Sequence, residues 1–350
     1  MLINLFIIWL VLIPFLVWDG YFEGPKILVF LLGGFVLSFY WILRLTKNQN
    51  TLKLGKKDLW FWVWLLVLII SSLFGIHPQE SVLGGSYRHQ GVIFFLVLWL
   101  IGKTTELLEG ESKRLLYKGM GLAVMVEVLI VFYQIIFGKL YLGLPLGTLG
   151  EVNAVAGFLA IGVYFVFISY PKVFSSLPLI AIVLMQSKSG VLALLSNLGF
   201  QINLMGKRTR VFVAGLCLLS VIFLFFKHST AKDFSFFENR QTIWPMAVQQ
   251  IVKKPFLGYG AESGEVVFNN AFRASGFPLS GLIIDRAHNL FLDIAMWSGV
   301  TGLVAFSLWL YFSFVSLKDV GRKMAALSFL IFSMFQPLGV VHWILLFLIL

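Results

Sequence analysis

Four polar stretches interrupt an otherwise apolar chain, and they hold the side chains that could do chemistry. They are residues 84–91, 147–153 and 187–190, and a long stretch from about 228 onward that ends at 285–292. An arginine guanidinium stays protonated and presents paired N–H donors that match phosphate oxygens. A neutral imidazole can accept a proton from a hydroxyl group. The residues of these kinds are Arg88, Arg240 and Arg286, with Lys188 as a further cation and His288 as the imidazole.

The four cations also have structural interpretations. A long charged side chain beside an apolar helix can extend along it to reach water, and this would explain Arg88. Arg286 could pair with its neighbour Asp285 on the surface. Arg240 and Lys188 could be ordinary charges at helix ends.

The other polar residues of these stretches have structural interpretations too. His288 precedes an apolar helix and could form a hydrogen bond at the membrane interface. The remaining histidines, His77, His89, His228 and His342, are interpreted as structural. We expect Gly258 and Gly260 to shape a turn, Trp244 to be an interfacial aromatic residue, and Asn153 and Asn289 to cap helices.

The composition places most of the chain in a membrane. Hydrophobic residues make up 59% of its 350 residues, charged residues only 12%, and the mean hydropathy is +0.92. Soluble domains contain roughly 45–50% apolar and about 25% charged residues, so a water-soluble fold could not bury this much apolar surface. The single cysteine, Cys217, cannot form an internal disulfide bond. Cysteines and histidines show no metal-ligand spacing, and we expect neither a metal nor another cofactor.

Apolar runs near spanning length predict an all-α, polytopic bundle of about twelve transmembrane helices. The first run lacks a basic n-region and a cleavage site, so we interpret it as a retained helix. One long connection, predicted to include an amphipathic helix from Asn239 to Val252, separates spans nine and ten. The chain thus divides into residues 1–227, the loop 228–288 and residues 289–350. The predicted spans are 2–18, 26–43, 58–75, 90–102, 115–137, 152–170, 173–186, 189–205, 211–227, 289–316, 324–335 and 338–350.

The basic residues are divided unevenly between the two ends of this bundle. With the N-terminus inside, most Lys and Arg residues fall in inside loops, and the short outside connections hold only Lys26, Arg88, Lys139 and Lys188. The positive-inside rule then predicts a multi-pass protein of the plasma (inner) membrane with both termini cytoplasmic. All four polar stretches would lie outside. The net charge of +11 therefore reflects topology, and we expect no nucleic acid partner.

Glu127 lies well inside the fifth predicted span. A carboxylate in hydrocarbon is costly and suggests a function. It could face a polar cavity beside Gln134, or be protonated and bonded to a neighbouring helix.

Three motifs follow one another in the long loop and at its C-terminal end. They are Arg-x-x-x-Trp from Arg240 to Trp244, Pro-x-x-Gly-x-Gly from Pro255 to Gly260, and His-Asn-x-x-Leu from His288 to Leu292. In order and spacing they resemble the O-antigen ligase and polymerase family of bacterial envelope glycosyltransferases. The Arg-x-Gln-Gly and Ser-x-Ser-Gly stretches, at 88–91 and 187–190, are similar to upstream family features.

The resemblance implies that a glycan on an undecaprenyl-diphosphate carrier is transferred to an acceptor hydroxyl group outside the membrane. It implies no nucleotide sugar and no essential metal. His288 would be the general base and Arg240 would bind the diphosphate. The expected partners are the lipid-linked donor, a glycan, lipid or protein acceptor, and membrane lipids. The supporting residues would be Arg88, Arg286 and Lys188 at the diphosphate, and Gly258, Gly260, Trp244 and Asn289 in shaping the loop.

Two other functions remain open. A transporter of a small solute should bring charged or broken helices together near the bilayer midplane, where Glu127 is the clearest charge. A non-catalytic scaffold for envelope enzymes would not need His288 or Arg240. Ligase and polymerase share the donor and differ in the acceptor, so these residues do not separate them.

Overall fold

The fold is helical throughout the part of the chain that the structure describes. This computed structural model describes residues 2–18, 21–47, 54–85, 88–139, 144–201, 240–275 and 284–350, together with Gly215. Within those ranges strand-like pairing is limited to isolated bridges, one of which joins Trp18 and Tyr21. The predicted all-α fold class is confirmed.

Each predicted span overlaps one α-helix, in some cases clearly shorter than the span, wherever it falls within the described ranges. The span at 211–227 lies outside them, apart from Gly215. The helix predicted in the long connection is also present. The α-helices are α1 (Leu2–Leu12), α2 (Glu23–Thr46), α3 (Lys56–Leu73), α4 (Pro78–Leu83), α5 (Val92–Leu107), α6 (Gly110–Ile136), α7 (Val152–Ser169), α8 (Ser176–Leu184), α9 (Lys188–Gln201), α10 (Arg240–Lys253), α11 (Gly264–Ala274), α12 (Leu290–Ser316), α13 (Val320–Ser333) and α14 (Val340–Ile349).

Four of the described helices are long and apolar enough to cross a membrane, judged by length and composition: α2, α6, α7 and α12. A crossing takes roughly 20 residues, whereas α8 has 9 residues and α14 has 10. The helices therefore support a membrane protein. The twelve crossings, the division into three segments and the single long loop stay predictions.

Aromatic side chains fill the contact between α3 and α12. The rings of Trp64 and Trp309 are stacked with centroids 6.1 Å apart. The rings of Phe61 and Phe306 contact both tryptophan rings in edge-on or tilted arrangements. Helices in lipid associate through close packing, because lipid tails are as apolar as the side chains. Interlocked rings supply that packing over a large area.

Small residues let α7, α9 and α13 approach closely. A methyl carbon at Gly157 of α7 would lie 2.3 Å from the ring of Phe332, so a larger residue would require that ring to shift. Ser328 on α13 donates a hydrogen bond to the C=O of Ala193 on α9 at 2.8 Å. Small residues and hydroxyl groups of this kind are typical of helix contacts in membranes.

Charged pairs cluster at the end of the bundle predicted to be cytoplasmic. Lys103 pairs with Asp58 at 2.7 Å, and Lys57 pairs with Glu106 at 2.6 Å. Lys57 also donates to the C=O of Leu350 at 3.0 Å, which brings the last described residue to the same end.

Glu127 holds the segment before α7 at the opposite end. Its two carboxylate oxygens accept the backbone N–H of Thr148 at 2.8 Å and the hydroxyl of Thr148 at 2.6 Å. The buried ammonium of Lys26 donates to the C=O of the same residue at 2.8 Å. Gln134 accepts the N–H of Gly147 at 2.8 Å. These contacts give Glu127 a structural role, and they connect two helices with one loop.

The Pro-x-x-Gly-x-Gly turn, residues 255–260, fills a break in α12. Gly299 has φ 67° and ψ −173°, so the helical hydrogen bonds cannot continue through it. The C=O groups of Met296 and Trp297 accept N–H groups of the turn at 2.8 and 2.9 Å, and the N–H of Val300 donates to its first residue at 2.7 Å. The turn thus satisfies the groups that the break leaves without helical partners.

Candidate active site

His288 lies at the start of α12, and the next residue fixes its position. Asn289 is the N-cap of α12, and its side-chain oxygen accepts the N–H groups of Phe291 at 3.0 Å and Leu292 at 3.2 Å. This is the capping role expected for Asn289. His288 itself has φ 55°, in the left-handed region that few non-glycine residues adopt. The cap and the turn together set where the imidazole leaves the backbone.

The backbone of Ala287, the residue before His288, is held at both its C=O and its N–H. The indole N–H of Trp244 donates to the C=O of Ala287 at 3.0 Å. The buried carboxylate of Asp293 accepts the N–H of Ala287 at 2.7 Å. Trp244 lies about one turn after Arg240, so this contact joins the start of α10 to the start of α12. Trp244 is therefore more than an interfacial aromatic residue.

Arg88 forms a largely buried ion pair with Asp285, which lies two residues before Ala287 in the chain. Burial alone would raise the pKa of Asp285, but the charges of Arg88 and Arg286 outweigh it and lower that pKa. The carboxylate therefore stays ionised at neutral pH. The pair joins the 84–91 stretch to the residues before α12.

Arg286 is buried in a separate network. It pairs with Glu262, donates to the side-chain oxygen of Gln90 at 3.3 Å, and lies over the ring of Trp297 at 4.1 Å from its centroid. The alternative in which Arg286 pairs with Asp285 is therefore wrong. The predicted diphosphate contact of Arg286 would require the pair with Glu262 to open.

The imidazole of His288 is neutral at neutral pH. Burial lowers its pKa from 6.5 to about 4. Asp285 opposes this shift, whereas the positive charges of Arg88, Arg240 and Arg286 add to it. Three of the four predicted diphosphate-binding cations therefore act electrostatically on this one imidazole.

Arg240 is the first residue of α10, and its guanidinium reaches the end of α13. It donates a hydrogen bond to the C=O of Phe335 and lies 6.0 Å from the centroid of that ring. A groove of about 580 Å³ opens beside it. The groove is lined by Arg240, Gln241, Trp244, Pro245, Val248 and Gln249.

Lys188 does not belong to the group of cations around His288. It is the exposed first residue of α9. Residues 185–187 separate α8 from α9, so the Ser-x-Ser-Gly stretch begins at this break and continues into α9. Ser187 donates to the side-chain oxygen of Asn153 at 2.9 Å. The capping role expected for Asn153 is wrong, because Glu151 is the N-cap of α7 and Asn153 lies inside that helix.

Buried contacts link the polar stretches at one end of the bundle. The ring of His342 accepts the N–H of Gly339 at 3.0 Å and lies 2.9 Å from the C=O of Ala154. The amide of Gln90 donates to the C=O of Leu338 at 2.5 Å. The stretches therefore share one end, as the topology required. Which side of the membrane that end faces stays a prediction.

Glu262 and Asp293 are two residues of the site that the sequence did not single out. Asp293 gave a usable signal, because a carboxylate in the first turn of an apolar helix needs a partner. Glu262 gave none, since its pairing with Arg286 depends on how α11 folds back on α12.

Residues 153–307 match the family model described as O-Antigen ligase. This match confirms the resemblance to the O-antigen ligase family. A ComP-specific O-oligosaccharyltransferase from Acinetobacter baylyi (strain ATCC 33305 / BD413 / ADP1) is 29% identical over 92 residues. That match spans 26% of this chain and 16% of the relative's length. No solved structure matches the chain.

The O-antigen ligase segment contains most of the candidate site. Arg240, the turn at 255–260, Arg286 and His288 lie inside it, whereas Arg88 precedes it. Arg88 therefore comes to the site through the fold, by its pair with Asp285.

Proposed function

We propose that this protein transfers a glycan from undecaprenyl-diphosphate to a hydroxyl group of an acceptor on the extracytoplasmic side of the plasma membrane. The observation that carries the proposal is the neutral, largely buried imidazole of His288 under the charge of Arg88, Arg240 and Arg286. The match to the O-antigen ligase family supports glycan transfer as the reaction class.

The reaction needs one proton acceptor and one anion-binding group. The acceptor hydroxyl oxygen attacks the sugar carbon that carries the diphosphate, and a new glycosidic bond forms. The bond from that carbon to the diphosphate oxygen breaks, and its electron pair leaves with the lipid diphosphate. The hydroxyl proton passes to the neutral ring of His288. No nucleotide or metal takes part in these steps.

Arg240 is the residue we assign to the diphosphate. Negative charge develops on the leaving oxygen, and a fixed guanidinium stabilises it most where water is excluded. The hydrogen bond from Arg240 to the backbone of Phe335 orients the guanidinium. Arg88 is a second candidate, with Asp285 moderating its charge. Lys188 and Arg286 stay weaker candidates, because one lies apart and the other is paired.

A matched pair of histidine variants tests the proposal. We expect His288→Asn to lower transfer by about 10²–10⁴-fold, the contribution of a general base. Asparagine tolerates a left-handed φ, so the turn should survive. His89 also has φ 55° and belongs to the same end of the bundle, and His89→Asn should leave transfer near wild type. Transfer is measured in proteoliposomes with undecaprenyl-diphosphate-linked glycan and candidate acceptors.

The same assay separates the competing functions. Transfer that survives His288→Asn would remove His288 as the base. A scaffold would support envelope assembly equally well with His288→Asn and with Arg240→Ala. Solute uptake into the vesicles without glycan transfer would favour a transporter.

A further inference from the structure

Helix α10 lies across one end of the bundle. Its first residue contacts Phe335, two residues beyond the end of α13. The 255–260 segment that follows α10 contacts Val300 at the break in α12. Ser71, in the last turn of α3, is hydrogen-bonded to the same segment. The 14 residues of α10 extend about 21 Å between these two points. The first anchor lies just beyond the end of α13 and the second lies beside the last turn of α3, so α10 follows the surface of that end.

The two sides of α10 differ sharply in exposure. Ile243, Ala247 and Gln250 are buried, and the helix packs on α11 and α12. The opposite side exposes an apolar stripe, defined here as Pro245, Val248, Val252 and Phe256. Val252 and Phe256 are each 71% exposed, and Val248 is 49% exposed. A helix side that faces water normally carries polar residues at such positions.

We propose that this apolar stripe inserts into the membrane leaflet on the His288 side, so that α10 is an interfacial helix. The stripe continues into surface that should face lipid. Phe256 lies beside the contact between the 255–260 turn and α12. Near this contact, Val300 and Val304 of α12 are 46% and 52% exposed, and Phe74 at the end of α3 is 78% exposed. Apolar side chains in a continuous exposed area favour acyl chains as the occupant.

Charge complementarity supports the same occupant. Lys253 and Lys254 are exposed at the C-terminal end of α10, and Lys254 lies over the ring of Tyr259 at 4.9 Å from its centroid. Cationic side chains beside an apolar stripe contact lipid phosphates when the stripe enters the leaflet. The groove that begins at Arg240 runs over Trp244, Pro245 and Val248. A lipid in this leaflet would therefore have a lateral path to Arg240.

Environment-sensitive labels on the full chain test the proposal. Cys217→Ser removes the one cysteine, and Val252→Cys or Val248→Cys then places a single fluorophore on the stripe. Val304→Cys, on the exposed side of α12, is the lipid reference. Gln79→Cys, exposed on α4, is the aqueous reference. Each variant is placed in phosphatidylcholine nanodiscs and treated with nitroxide-labelled phosphatidylcholine or with iodide.

We expect the Val252 and Val248 labels to be quenched by the lipid nitroxide nearly as strongly as Val304, and to resist iodide. Quenching by iodide to the extent seen at Gln79 would overturn the proposal. Resistance to both quenchers would also overturn it, since protein would then cover the stripe. The proposal does not rest on glycan transfer, and the fluorescence readout is independent of that activity. Two stripe positions guard against one variant that fails to fold.

Discussion

His288 binds a proton less readily than an ordinary histidine because burial and three arginines oppose the imidazolium. A diphosphate placed beside those arginines would cancel part of their charge. The pKa of the ring would then rise toward its ordinary value of 6.5, and the ring would become a stronger base. In the proposed reaction, the base therefore gains strength once the donor is bound.

This coupling predicts the pH dependence of transfer. A protonated ring cannot accept the hydroxyl proton, so activity falls as the pH drops through the pKa of His288. The profile of kcat/KM reports the free protein, and its acid limb should lie near the pKa of about 4. The profile of kcat reports the loaded protein, and its limb should lie at higher pH. A kcat/KM limb at or above 6.5, or one retained by His288→Asn, would contradict this assignment.

Substitution of Arg240 tests the diphosphate role. Arg240→Ala removes the charge and the paired donors, and we expect kcat/KM to fall by about 10²–10³-fold, the loss for one transition-state donor. Arg240→Lys keeps the charge and loses the fork, so an intermediate loss is expected. The control is Arg273→Ala, an exposed arginine on α11 of the same loop. Equal effects of Arg240→Ala and Arg273→Ala would mean that the loop responds only to net charge.

The sequence indicated the candidate reacting residues but not their partners. His288 and Arg240 stand out by type, spacing and motif, and in the fold the charge of Arg240 acts on the ring of His288. The pairs of Arg88 with Asp285 and of Arg286 with Glu262 join residues far apart in the chain. Composition and spacing cannot rank such alternatives, because the pairing depends on how loops meet at the helix ends.

At the scale of elements, the turn at 255–260 and the break in α12 form one unit. Gly258 has φ 69°, and a methyl carbon there would lie 2.4 Å from the C=O oxygen of Met296. The site depends on this unit, because the first turns of α12 carry the cap and Asp293 that fix His288.

We therefore expect Gly258→Ala to destabilise the protein and reduce transfer. Alanine in a left-handed conformation costs about 1–2 kcal/mol, and the clash with Met296 adds to that cost. Gly138 is the matched control: its φ is 64°, but a methyl carbon there meets nothing within 4 Å. Gly138→Ala should show only the conformational cost. Thermal unfolding in detergent measures both, and equal Tm shifts would refute the importance of the close contact.

Helix positions were largely predictable, and their details were not. Apolar runs located the described helices of the bundle, and the amphipathic pattern located α10, since burial dictates both patterns. Helix α11 was missed, although Val267, Phe268, Ala271 and Phe272 repeat at helical spacing and are buried. The break at Gly299 left no trace in the apolar pattern, because it depends on a turn forty residues earlier in the chain.

At the scale of the molecule, two groups of polar residues mark the two ends of the bundle. Lys57, Lys103 and their carboxylate partners lie at one end with Leu350. The stretches that contain Gln90 and His288 lie at the other. The positive-inside rule, applied to the loops of the sequence, predicts that this second end lies outside.

Cysteine accessibility tests this orientation directly. In the Cys217→Ser background, Gln79→Cys and Lys139→Cys place exposed thiols at the end predicted to be outside, and Lys318→Cys places one at the opposite end. An impermeant maleimide added to intact spheroplasts should label the first two, because they meet the outer solution. It should label Lys318→Cys only after the membrane is opened. The reverse pattern would place His288 in the cytoplasm, where the proposed transfer to an extracytoplasmic acceptor could not occur. Labelling of all three in intact cells would instead indicate that the two ends are not separated by a membrane.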